Sequence, residues 1–151
     1  MAFLLLLMFG ILFLLMALCG CKESTQSGGI DLDGTWTAQV EIQNCAPADL
    51  CASFGFQQGL IVTAVMELDQ DGNDVSGTYT YQGLPIRADV DGILSGTNLA
   101  LNGSINDPLG TATVELTGTV SGDAINASIS HRITATDGRA ATASGSGTFT
   151  R

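Results

Sequence analysis

The chain has 151 residues, five Lys and Arg against fifteen Asp and Glu, a formal net charge of -10 and one His. That balance excludes a basic nucleic-acid face and docking on anionic lipid headgroups, both of which need clustered cations. With one His, no nucleophile elbow and its acids at turns or on polar faces, the chain offers no group set for catalysis, so no enzyme is expected.

The chain begins with an uncharged apolar run from Ala2 to Leu18, built of Leu, Phe, Met, Ala and Ile with one Gly. Such a run followed by small residues is the pattern of a secretory signal. It ends in Leu18-Cys19-Gly20-Cys21. An aliphatic residue three places before a cysteine, and a glycine immediately before it, resembles the lipobox of bacterial lipoproteins. The resemblance implies removal of residues 1–20, acylation of Cys21 and attachment to a membrane through that lipid, with no other cofactor. Lys22 replaces the Asp that retains many such proteins in the inner membrane. By the same resemblance the destination is the outer membrane facing the periplasm, with the cell surface or the inner membrane as alternatives. An uncleaved transmembrane helix is the competing reading, because about 20 apolar residues are enough to span a bilayer.

Residues 21–30 are polar and rich in Gly and Ser after the cysteine, and read as a flexible tether. Of the four cysteines, the lipobox resemblance implies that Cys19 leaves with the signal and Cys21 takes the lipid. Cys45 and Cys51 remain, in an oxidising compartment where disulfides persist, and are expected to pair. A metal pair is the alternative, but the spacing is not C-x-x-C and His131 is distant in sequence.

Residues 31–151 are expected to form one domain with a single core. Period two dominates it, and nothing in it reads as a helix. Trp36, Ala38, Val40 and Ile42 alternate with polar residues, and Leu60, Val62, Ala64, Met66 and Leu68 form the next series. Val75, Gly77, Tyr79 and Tyr81 follow, then Ile86, Ala88 and Val90, then Leu99 and Leu101. Ala112, Val114, Leu116, Gly118 and Val120 make the sixth series; Ile125, Ala127, Ile129, His131 and Ile133 make the seventh. A last strand runs from about Ala141 to Thr150. Asp71-Gly72, Ser121-Gly122-Asp123 and Asp137-Gly138 are hairpin turns, since they tolerate positive φ. Short connections and one apolar face per strand predict an all-β, antiparallel up-and-down barrel of about eight strands. A β-sandwich is the alternative. The triplets around Gly77, Gly96, Gly118 and Gly147 read as strand glycines that permit the coiling a barrel needs.

Gly34-Thr35-Trp36 opens the first strand, and Gly147-Thr148-Phe149-Thr150-Arg151 closes the last. Together with the meander this is similar to the calycins, the group of lipocalins and avidins. The resemblance implies that Arg151 packs across Trp36 where the barrel closes. It does not extend to biotin, which avidins clamp with several tryptophans; this chain has one.

Tyr79, Tyr81 and His131 fall on the inward face and are the candidate ligand-lining residues; ordinary core packing explains them as well. The acidic stretch Asp69 to Asp74 departs from the EF-hand template and reads as a hairpin, so no metal site is expected. The expected function is a membrane-anchored, non-enzymatic barrel that binds a small apolar molecule. The inward alanines Ala38, Ala64, Ala88, Ala112 and Ala127 leave room for it. The alternative is an accessory subunit with an envelope protein partner, suggested by the outward pair Ile61 and Val65 beside the disulfide loop.

Overall fold

The computed structural model describes residues 29–84, 86–107 and 110–151, the side chains of 106 and 107 excepted. The apolar run, Leu18-Cys19-Gly20-Cys21 and most of the tether lie outside the described residues. The strands are β1 (Gly34–Ala46), β2 (Ile61–Asp71), β3 (Asp74–Tyr81), β4 (Arg87–Ser95), β5 (Asn98–Asp107), β6 (Gly110–Ser121), β7 (Ala124–Ala135) and β8 (Ala140–Thr150). Each pairs antiparallel with the next, and β8 returns to β1, closing the barrel. The sandwich alternative is thereby excluded: no sheet edge is left between β1 and β8.

Closure follows from the alternation. With no long helix among the described residues to cover it, the apolar face of an eight-stranded sheet is best buried by curling the sheet onto itself. Trp36, Val40, Met66, Tyr79, Leu101, Ile129, Ile133 and Phe149 all point inward and are at most 2 % exposed. Residues between them, such as Thr37, Glu41, Asp89, Glu115 and Arg132, face solvent. This is apolar-in and polar-out, the reverse of a membrane-spanning barrel with its outward apolar band.

Glycines allow the curvature. A Cβ on Gly77 would collide with the Glu67 carbonyl of β2, so β3 approaches β2 there more closely than any other residue allows. Gly96 differs from the strand position read from the sequence. It lies in the β4–β5 turn at φ +61°, a left-handed conformation that glycine adopts without strain.

A second difference is a short helix, α1 (Ala48–Ser53), where no helix was expected. At six residues it is too short to show a helical period. Pro47 precedes it and Asp49 sits in its first turn, where a negative charge suits the helix dipole. Its register in the fold comes from elsewhere: Cys51 is bonded to Cys45 of β1, and Leu50 is buried.

The meander gives the barrel two unlike ends. At one lie the β2–β3, β4–β5 and β6–β7 turns, with residues 31–33 and Arg151. At the other lie α1 with the loop after it, and the β3–β4 and β7–β8 connections.

Candidate functional site

The first end is sealed. Leu32 is fully buried across it, its N–H donating to Gln70 Oε1 at 2.8 Å. Trp36 Nε1 donates to the Leu32 carbonyl at 2.9 Å, so the indole is both buried and satisfied. Arg151 lies over that indole, its guanidinium carbon 4.5 Å from the ring centroid. The guanidinium also donates to the Asp33 and Asp31 carbonyls at 3.1 and 2.5 Å, and lies 3.4 Å from Asp123. The Trp36–Arg151 juxtaposition is therefore a closure made of packing, cation–π attraction and main-chain capping.

The other end is built differently. β3 carries Tyr79 and Tyr81 inward, and β7 carries His131 inward from the opposite part of the wall. The tertiary fold brings the three together. The Tyr79 and Tyr81 rings are edge-to-face at 5.1 Å, and His131 lies 5.6 Å from Tyr81 and 6.3 Å from Tyr79 between ring centroids. Small neighbours make the space: Tyr81 pairs in register with Ala64, Tyr79 with Ala88, and His131 with Ala143. Part of the room that the inward alanines provide is thus filled by these rings.

Phe56 completes the cluster. It stands 5.0 Å from His131 and 6.1 Å from Tyr81, and is 2 % exposed. The sequence reading missed it, because it lies in an irregular segment with no period. Its N–H donates to the Cys51 carbonyl at 3.0 Å, so α1 fixes its backbone. The Cys45–Cys51 disulfide, with Cα atoms 6.0 Å apart, ties α1 to the barrel wall. The available signal was the cysteine pair itself, followed by Phe54-Gly55-Phe56 with two aromatic residues beside a turn-forming glycine. On the rim, Arg139 of the β7–β8 connection bonds Asp49 of α1 at 3.1 Å and Asp137 at 2.8 Å, all three exposed.

The polar atoms of the cluster are incompletely matched. Tyr81 Oη and His131 Nε2 are 3.0 Å apart and share a hydrogen bond. The Tyr79 hydroxyl and His131 Nδ1 are buried and have no hydrogen-bond partner among the described residues. Such a group costs on the order of 1–3 kcal/mol. Burial lowers the His131 imidazole to about 4, so the ring is neutral near pH 7. Burial also pushes the Tyr81 phenol up to about 12. Tyr79 is raised well above the usual phenol value by burial and then by the neighbouring Tyr81. The cluster is therefore uncharged, and with neutral groups it can donate and accept hydrogen bonds but has no charge to offer a partner.

Elsewhere, Asp69, Asp71, Asp74 and Asp91 line an open groove on the outer face with Ile93. Among the described residues, no three His, Cys, Asp or Glu side chains converge as metal ligands. Cys21 lies outside the described residues. Comparison with known proteins finds no match to a protein-family model, to a curated protein or to a solved structure.

Proposed function

We propose that this chain is a lipoprotein of the bacterial cell envelope, held to the membrane by acyl chains on Cys21, whose barrel binds a small apolar molecule without catalysis. The observation that carries the binding is the pair of unpartnered, buried polar atoms, Tyr79 Oη and His131 Nδ1, in an otherwise apolar interior. A domain that gains nothing from two such atoms would replace them with carbon, whereas a binding site uses a few polar groups to orient a ligand among apolar walls. The calycin likeness of Gly34-Thr35-Trp36, with Arg151 over Trp36, supports the same reading. Native mass spectrometry of the protein purified from its own cells tests it. A bound apolar molecule, lost from a Tyr79→Trp variant that fills the cluster, is the expected result; a repeatedly empty protein counts against binding.

The anchor rests on Leu18-Cys19-Gly20-Cys21. Cys21→Ser is expected to abolish acyl labelling and release the protein from the outer membrane. A variant that stays membrane-bound and uncut would establish the transmembrane alternative.

Ile61 supports a second reading, an accessory subunit of an envelope assembly. It is 62 % exposed at the start of β2, on the outer wall where Val65 is half-buried. Crosslinking in cells compares the chain with Ile61→Asp; loss of a specific partner supports the reading, and an unchanged partner set counts against it.

A further inference from the structure

The hydrogen count of the buried cluster says what kind of ligand it lacks. Tyr79, Tyr81 and neutral His131 carry one polar hydrogen each, three in all, and the described contacts consume one, between Tyr81 and His131. If Tyr81 donates to Nε2, the hydrogens left over are those on Tyr79 Oη and His131 Nδ1. If Nε2 donates to Tyr81, they are those on Tyr79 Oη and Tyr81 Oη, and Nδ1 is left as an acceptor without a donor. In either tautomer two donor hydrogens have no acceptor in hydrogen-bonding geometry, although the phenol oxygens keep free lone pairs. What the cluster most lacks is an acceptor placed within reach of these donors, and a carbonyl oxygen with two lone pairs supplies it.

The charge of the missing group follows from its surroundings. Among the described residues no Asp, Glu, Lys or Arg is buried, and Arg87, Arg132, Arg139 and Arg151 all lie on the outside. A carboxylate or phosphate in the interior would be desolvated with no cation beside it, which costs far more than the two hydrogen bonds return. The Phe56, Tyr79 and Tyr81 rings instead offer apolar faces for a hydrocarbon body.

Building on the proposal that the barrel binds an apolar molecule, we propose that its ligand is an uncharged hydrocarbon-like molecule bearing a carbonyl oxygen, which accepts hydrogen bonds from the Tyr79 hydroxyl and the His131–Tyr81 pair. The test uses the full chain in detergent micelles and three probes of equal length: undecan-2-one with an isotope-labelled carbonyl carbon, undecane, and undecanoate. Retention is measured by equilibrium dialysis against empty micelles, and the carbonyl resonance is followed by NMR. The ketone is expected to bind about tenfold more tightly than the alkane, the worth of one or two net hydrogen bonds, with its carbonyl signal moved downfield. Tyr79→Phe keeps the ring and is expected to bring the ketone toward the alkane value while leaving the alkane unchanged. Equal binding of ketone and alkane, both indifferent to Tyr79→Phe, would overturn the acceptor assignment and leave apolar binding standing. Undecanoate bound more tightly than the ketone at neutral pH would overturn the uncharged ligand. Retention of none of the three beyond empty micelles would overturn apolar binding itself.

Discussion

The two ends of the barrel use aromatic residues to opposite effect. At the Trp36 end the indole N–H, the Arg151 guanidinium and the main chain of residues 31–33 all find partners, and the end is closed. At the Phe56 end the rings are as deeply buried, yet two polar atoms are left without partners. Burial is thus the same at both ends, and hydrogen-bond satisfaction is what separates them. A finished end stabilises the fold; an end with surplus donors spends stability and becomes the place to look for a ligand.

Four measurements break or sharpen that contrast. The largest effect is expected at the closed end. Trp36→Ala removes a fully buried indole and leaves the Leu32 carbonyl without its donor and Arg151 without the ring beneath it, for a loss of about 3–5 kcal/mol in urea unfolding. A loss under about 1 kcal/mol would mean that this end is not the structural one.

The next effect is a pH dependence at the Phe56 end. The unfolded chain takes a proton on His131 near 6.5, whereas the buried ring does so only near 4. Below 6.5 the unfolded state therefore binds more protons, and stability falls as the pH drops toward 4. The loss attributable to this group is about 3 kcal/mol across the window. Tyr79 and Tyr81 do not titrate there, since burial moves both phenols upward. Denaturation curves from pH 7 to 4 should show a shallower slope in His131→Phe than in the parent; equal slopes would place the imidazole in contact with water.

Removing the disulfide with Cys45→Ser and Cys51→Ser together is expected to cost about 2 kcal/mol, the chain-entropy value for so short a ring. Amide exchange should rise in α1 and around Phe56 and stay unchanged at Trp36. Uniform loosening of both ends would show that the bridge supports the whole barrel rather than one end.

The smallest effect has the opposite sign. Tyr79→Phe deletes an unpartnered buried hydroxyl, so the ligand-free protein should gain about 1 kcal/mol in stability. A loss of similar size would show that the hydroxyl is already satisfied.

Much of the barrel was legible in the residues, because a strand states its inner face at every second position. The run from Ile125 to Ile133 alternates without a break, and in the structure every one of its apolar positions is buried. The inward direction of Tyr79, Tyr81 and His131 follows from the same rule. Their meeting does not: Tyr81 and His131 are 50 positions apart, and no local pattern says that β3 and β7 face each other across the interior. Phe56 and α1 were less legible still. Six helical residues give no period, and their placement comes from a cross-link and from packing rather than propensity. Gly96 shows the limit in miniature, since the same Ser-Gly-Thr triplet serves as strand at Gly77 and as turn at Gly96, and only the pairing of the flanking residues decides.

By itself the sequence determined that the domain is all-β, antiparallel and apolar on one face, because these depend on alternation. The tertiary structure decided that the sheet closes as a barrel, that its two ends differ, and that three polar aromatic residues share one interior with two buried polar atoms left unpartnered. Those properties depend on which strands face each other across about a barrel's width, a relation that side-chain period cannot encode.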